Sequence, residues 1–153
     1  MVEIVTYKQE YNQYFEKYNT EWLNKYFMVE AYDKHQFDTV QENIIDKGGQ
    51  VFFVKVDNEI VGTAAVQPMA TGEYELTKMA VTQAHQGLGY GRLLVKACIK
   101  WSIAKKLPYL LLWSNTTLTT AIAMYKQFGF EEVALEQTNY NRANIKMKLT
   151  LSY

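Results

Sequence analysis

Lys78-Met79-Ala80-Val81-Thr82-Gln83-Ala84-His85-Gln86-Gly87-Leu88-Gly89-Tyr90-Gly91-Arg92-Leu93-Leu94 changes character twice within seventeen residues. An apolar strand-like run ends near Val81. A loop of small and polar residues follows, with glycine at 87, 89 and 91. A segment with an apolar helical stripe then begins. Strand, glycine-rich turn and helix together present backbone N–H groups to an anion. Glycine suits a loop where a bulky phosphate must approach the main chain, because a Cβ would hold it off. The helix N-terminus adds roughly half a positive charge. The loop therefore points to a phosphorylated ligand.

Working outward, 153 residues fit one domain, taken as 1–153, with enough chain to bury a sizeable core. Apolar residues make up 48% of the sequence, which fits a globular chain and not a disordered one. Lysine plus arginine equals aspartate plus glutamate at 16 each, so a nucleic-acid partner, which calls for a basic face, is not expected. The single cysteine, Cys98, excludes an internal disulfide and fits a reducing compartment. Met1-Val2-Glu3-Ile4-Val5 does not resemble a signal peptide, and no apolar stretch approaches the roughly 20 residues of a membrane span. The expectation is a cytoplasmic protein without a membrane partner.

Periodicity supplies the elements. Val2 to Tyr7 reads as a strand. Gln9 to Lys25 reads as a helix, with Tyr11, Tyr14, Phe15, Tyr18 and Trp22 at spacings of three and four. Gln36 to Lys47 reads as a second helix, stopped by Gly48-Gly49. Val51 to Val56 and Ile60 to Val66 read as a hairpin about Asp57-Asn58. Glu73 to Val81 is a third β segment, Gly91 to Lys106 a helix, and Tyr109 to Trp113 a strand buried on both faces. Thr117 to Phe128 is helical; Val133 to Leu135 and Ile145 to Leu151 close the chain as strands. The order β-α-α-β-β-β-α-β-α-β-β implies an α/β (mixed α+β) fold: a mixed sheet flanked by helices, with a parallel crossover around the glycine loop.

Two common phosphate loops fail on their residues. A Walker A loop ends Gly-Lys-Ser/Thr, and Gly91-Arg92-Leu93 does not. A Rossmann fingerprint needs its third glycine one residue later and an acidic residue about 20 positions on, where Tyr109 to Trp113 is wholly apolar. Gln86-x-x-Gly89-x-Gly91 instead resembles motif A of the GNAT superfamily of acyl-CoA-dependent N-acetyltransferases. Leu76-Thr77-Lys78-Met79-Ala80-Val81 is similar to the family's fourth strand, and Ala121 to Phe130, containing Tyr125 and ending Gly129-Phe130, to its tyrosine helix and turn. Glu21 to Phe27 and Ser114 to Leu118 further resemble a bacterial subgroup. The resemblance covers roughly residues 2 to 151. It implies a central sheet of about seven strands with helices on both faces, and a homodimer is compatible with the family habit.

The resemblance also implies roles. Acetyl-CoA would be the acyl donor, with the pyrophosphate of coenzyme A on Gln86, Gly87, Leu88, Gly89, Tyr90, Gly91 and Arg92. Met79 and Val81 would hold the pantetheine arm, with a bulge splaying the fourth and fifth strands and freeing the polar groups of Val81 for the ligand. The thioester would sit near Met79 and Ala80. Tyr125 matches the family's tyrosine acid, and Glu75, four residues before Met79, stands where one branch carries its catalytic glutamate. The family's cofactor-contacting asparagine, seven residues before the tyrosine, is replaced by Leu118. Asn115 either reaches the cofactor or caps the next helix.

An amine of pKa ~10 must lose a proton before it attacks, and the departing thiolate leaves better with a donor nearby. The expected reaction is acetyl transfer to a primary amine by direct attack in a ternary complex. The alternative is a non-catalytic acyl-CoA-binding or sensor module of the same fold. Other readings compete at single residues. The alternation of Glu73, Glu75 and Thr77 with Tyr74 and Leu76 also fits a half-exposed strand. Tyr125 shares its helix with core residues. Cys98 lies in the stripe of Leu94 and Trp101 and reads as core. His35 and His85 do not form a metal site, and no metal is expected. The resemblance implies that Trp22, Tyr26 and Phe27, with Tyr140 and Arg142, line an acceptor pocket; the competing reading for most of them is packing, and Arg142 and Glu30 are the candidate charge partners of a substrate.

Overall fold

The computed structural model describes residues 1–136, 138 and 140–152. The chain forms β1 (Val2–Thr6), α1 (Asn12–Tyr26), α2 (Ala31–Asp38), β2 (Gln50–Val56), β3 (Glu59–Pro68), β4 (Tyr74–Val81), α3 (Tyr90–Ala104), β5 (Tyr109–Ser114), α4 (Thr119–Gln127), β6 (Glu131–Val133) and β7 (Ile145–Thr150). The element order is the one the periodicity predicts. The strands make one sheet ordered β1-β2-β3-β4-β5-β7-β6. All neighbours run antiparallel except β4 and β5, which α3 connects as a parallel crossover.

Strand alternation sends side chains to two cores, one on each face of the sheet. Phe53, Ala65 and Ala80 meet Phe15, Leu23 and Phe37 of α1 and α2. Phe52, Ala64, Val66 and Leu76 meet Leu94, Val95 and Cys98 of α3 and Ile122 of α4. Phe15 and Phe37 lie edge to face with centroids 5.7 Å apart, and both are at most 1% exposed. Each such ring contributes about 1.5–3 kcal/mol by leaving water. Cys98 is a core residue on α3, and burial pushes its thiol well up from the usual value.

Local chemistry sets the turns. Asp57 and Asn58 both take positive φ, 48° and 69°, in a two-residue connection from Val56 to Glu59. That is the left-handed geometry a tight hairpin needs, and Asp and Asn tolerate it. The second helix departs from its predicted span of Gln36 to Lys47. It starts at Ala31, because the Glu30 backbone N–H donates to Asp33 Oδ2 at 2.9 Å and so occupies an end group of the first turn. It stops at Asp38, where Thr39 Oγ1 donates to the His35 carbonyl at 2.6 Å. A separate π-helical turn, Gln41–Ile45, carries Ile44 into the core.

The feature that positions the site lies in β4. Ala65 pairs with Thr77 and Thr63 with Ala80, so Lys78 and Met79 oppose the single residue Ala64. Lys78 absorbs the extra residue at φ 58°. This is a β-bulge, which twists the strand and re-aims its side chains. On the other edge, β4 meets β5 at Glu75 and Leu111. Beyond that point the two strands part.

Candidate active site

Where β4 and β5 diverge, a cavity of about 130 Å³ opens between them. Leu76, Thr77, Lys78 and Met79 form one wall; Leu112, Trp113, Ser114 and Asn115 form the other. Asn19, Trp22, Leu23 and Phe27 of α1 and its end, Leu118, Ala121 and Tyr125 of the α4 region, and Tyr140, Arg142 and Ala143 before β7 complete it. Trp22 packs on both Tyr26 and Phe27, at 5.3 and 5.8 Å between centroids, which makes one side of the cavity aromatic.

The glycine loop runs from the end of β4 into α3. Gly87 and Gly89 take φ 79° and 86°, and a Cβ built on either meets open space. Glycine is therefore required there for backbone conformation, not by crowding from the protein. Gly89 precedes the first residue of α3, so the N–H groups of Tyr90, Gly91 and Arg92 lie in the first turn, where helical partners are lacking. Leu88 is 61% exposed at the loop tip. Gln86 Nε2 donates to the Val81 carbonyl at 2.9 Å, pinning the loop to the strand end. The Val81 carbonyl, expected to be free for a ligand, thus already accepts one hydrogen bond within the protein and keeps one lone pair. Arg92 turns toward α4, with Nη1 donating to Gln127 Oε1 at 2.7 Å and its guanidinium over the Phe128 ring. Met79 lines the cavity, whereas Ala80 is 3% exposed and packs in the α1 core. Asn115 lines the cavity and also structures its rim. Its Oδ1 accepts from Thr117 N at 3.0 Å and Oγ1 at 2.7 Å, and its Nδ2 donates to the Arg142 carbonyl at 2.7 Å. It closes the turn before α4 without capping the helix, since Leu118 occupies the N-cap position.

The two proposed acid–base residues sit in different surroundings. Tyr125 is half-buried, in edge contact with Phe130 at 5.8 Å, and burial pushes its phenol up to about 12. Among the described residues its hydroxyl makes no hydrogen bond. Glu75 is 3% exposed, not half-exposed as strand alternation allowed, because the α1 and α2 side of β4 is covered. Burial raises its carboxyl to about 7, against the opposing pull of the Lys78 charge and hydrogen bonds from Tyr140 and Thr77. Glu75 does not line the cavity; Thr77 and Tyr140 do. Tyr140 Oη donates to Glu75 Oε1 at 3.3 Å, lies 3.2 Å from Thr77 Oγ1, and accepts from Gln36 Nε2 at 3.2 Å. Gln36 in turn donates to Gln67 Oε1 at 2.7 Å. Two hydroxyls thus stand between the cavity and a carboxylate that titrates near neutrality.

Beside this hub lies an ion cluster that the residue patterns did not reveal. Asp33, 0% exposed, pairs with Lys78 Nζ and with Arg142 Nη1 and Nη2 at 2.8 and 2.9 Å. Arg142 Nη1 also reaches Glu30 Oε2 at 2.8 Å. Burial would raise Asp33, but the Arg142 hydrogen bonds and the Lys78 charge outweigh it and hold the carboxyl below its usual range. Lys78 and Arg142 both lie over the Tyr140 ring, at 4.9 and 4.8 Å from its centroid. Glu30 and Arg142, candidate substrate partners in the sequence, are therefore paired with each other. The bulge explains why Lys78 is here at all. Thr77 and Lys78 are consecutive, yet both reach Tyr140, while Leu76 and Met79 pack on the opposite core.

Comparison with known proteins agrees with this geometry. A profile of the Acetyltransferase (GNAT) family matches residues 11–130. An uncharacterised N-acetyltransferase of Dictyostelium discoideum is 36% identical over 78 residues, a match spanning 49% of this chain and 36% of that protein. An acetyltransferase of the GNAT family from Staphylococcus aureus superposes with a TM-score of 0.88 at 18% identity, covering 99% of this chain and 100% of the other. The ribosomal-protein-S18-alanine N-acetyltransferase of Escherichia coli gives 0.78 at 22% identity over 100% and 96%. A Salmonella typhimurium protein assigned as an acetyltransferase and solved with its cofactor acetyl-CoA gives 0.76 at 16% identity over 100% and 95%. With the family profile spanning the glycine loop, the splayed strands and the tyrosine helix, this chain belongs to the acetyltransferase (GNAT) family, whose acyl donor is acetyl-CoA.

Proposed function

We propose that this chain transfers an acetyl group from acetyl-CoA to a primary amine by direct attack in a ternary complex. The observation that carries the reading is the bulge-split sheet. It opens a cavity between β4 and β5 whose walls include Met79 and Tyr125, with the carboxyl of Glu75, raised to about 7, directly behind the wall hydroxyls of Thr77 and Tyr140. The donor's pyrophosphate would lie on the N–H groups from Gly87 to Arg92, where the α3 N-terminus favours negative charge. Acetyl-CoA supplies the activated acyl group; the protein supplies position and proton handling.

The two shifted groups set what each can do. An ammonium of pKa ~10 loses its proton to a carboxylate at 4.5 at a cost of about 7 kcal/mol, and to one at 7 at about 4 kcal/mol. Burial of Glu75 thus recovers about 3 kcal/mol of the proton transfer. The proton would pass through Thr77 Oγ1 or Tyr140 Oη, each hydroxyl giving its own proton to the next group as it accepts one. Tyr125 works differently. Full transfer from a phenol at about 12 to a thiolate of pKa ~8.5 is uphill by about 5 kcal/mol. Tyr125 therefore serves as a hydrogen-bond donor that stabilises the departing sulfur.

The test is thiol release from acetyl-CoA across a panel of amines, with mass detection of the acetylated product. Amine-dependent release supports transfer. Tight acetyl-CoA binding with no amine-dependent release across the panel would favour the non-catalytic acyl-CoA module instead.

A further inference from the structure

The charges around the cavity are arranged by sign. Among the described residues that line it, the charged ones are Lys78 and Arg142, and none is Asp or Glu. The matching acids, Asp33 and Glu30, are not on the cavity wall. Glu75, also off the wall, faces Lys78 and Arg142 as well; while it holds its proton these charges cancel, and the cations stand nearer the cavity than the anions. Such a double layer presents its positive end to whatever enters, in surroundings that screen poorly.

Arg142 retains donors for a further anion. Nη1 gives one N–H to Glu30 and one to Asp33, and Nη2 gives one to Asp33. A guanidinium has five N–H groups. Its Nε–H and the second Nη2–H remain without an acceptor among the described residues. These two lie side by side, the spacing that holds a carboxylate through two parallel bonds. Trp113, which lines the same cavity, keeps a buried indole N–H that no described residue accepts. Trp22 and Phe27 supply apolar lining to the same cavity.

We propose, building on acetyl transfer at this site, that the acceptor is a small amine carrying its own carboxylate and an apolar side chain: an amino-acid-like acceptor, held through the unused edge of Arg142. A polyamine, by contrast, would bring further positive charge against Lys78 and Arg142 with no cavity carboxylate to meet it.

The test is calorimetric titration of the CoA-saturated protein with N-acetyl-L-leucine, N-acetyl-L-leucinamide and N1-acetylspermidine, each a product-like probe. The carboxylate probe binds more tightly than the carboxamide by about ten-fold or more, the effect of one charged bidentate contact. Acetylspermidine binds weakest. Arg142→Lys keeps a cation beside Asp33 but loses the side-on pair, and the preference for carboxylate collapses. Equal or tighter binding of the carboxamide, preference for acetylspermidine, or binding of CoA with none of the three overturns the inference and leaves acetyl transfer standing. A separate titration with CoA alone tells the two apart, because failure there removes the donor site and this inference with it.

Discussion

Asp33→Asn strikes the buried cluster while keeping the side chain's size and shape. In the wild type, Asp33 receives Lys78 Nζ, two N–H groups of Arg142 and the Glu30 backbone N–H. Arg142 retains Glu30 after the change, but Lys78, 8% exposed, loses the carboxylate it is paired with. Breaking a buried pair by neutralising one partner costs about 3–5 kcal/mol, a large share of a total stability of about 5–15 kcal/mol. For a chain of this size that lowers Tm by about 6–20 °C. Urea denaturation at a series of pH values gives the loss and its origin together. Burial already holds the Lys78 ammonium below its ordinary value in the wild type, against the raising pull of Asp33; without Asp33 it falls further, so over this range the unfolded state binds more protons relative to the folded one in the variant than in the wild type. Stability therefore rises with pH toward 10, and the gap to the wild type narrows. Asp33→Asn/Lys78→Met removes the stranded charge and should be more stable than Asp33→Asn alone. A loss below about 1 kcal/mol, or a double variant no better than the single one, would refute the assignment of Asp33 and Lys78 as an energetically coupled pair.

Two further outcomes concern the proposed chemistry. Tyr125→Phe should lower kcat about 10- to 100-fold, the value of one hydrogen bond to a charged group, while acetyl-CoA affinity measured by calorimetry stays within about two-fold. Unchanged kcat would remove Tyr125 from the reaction. Glu75→Gln should abolish the acidic limb of the kcat/KM profile that falls near pH 7 and should also alter stability. A carboxyl raised in the folded state contributes stability that is full below its unfolded pKa of about 4.5 and is lost as pH rises through about 7. The wild type thus loses about 3 kcal/mol across that window, whereas Glu75→Gln does not. An unaltered limb, or parallel stability curves for the two proteins, would sink the role given to Glu75.

Much of this molecule is legible in its residues, and what is not has identifiable causes. The strand and helix order follows from local periodicity, and Asp57-Asn58 marks its hairpin because those residues tolerate positive φ. The glycine loop announces itself because conformation forces glycine at 87 and 89. Lys78 gives no such signal. A lysine at φ 58° is stabilised by the tertiary pull of Asp33, which lies 45 residues away in sequence. Glu75 reads as half-exposed because alternation describes one strand and not the helices laid over it. The start of α2 at Ala31 escapes the usual Ser or Thr signature, since acids at 30 and 33 provide the reciprocal cap. Tyr140 joins Glu75, Thr77 and Gln36 only once the loop before β7 folds across the split.

A crystal structure of the protein with acetyl-CoA tests the central claim most directly, because that claim is geometric. The pantetheine arm is predicted to enter the gap between β4 and β5, with the pyrophosphate on the N–H groups of Gly87 to Arg92 and the sulfur within hydrogen-bond reach of Tyr125 Oη. Acetyl-CoA bound outside that gap, or with its sulfur beyond contact of Tyr125, would contradict it.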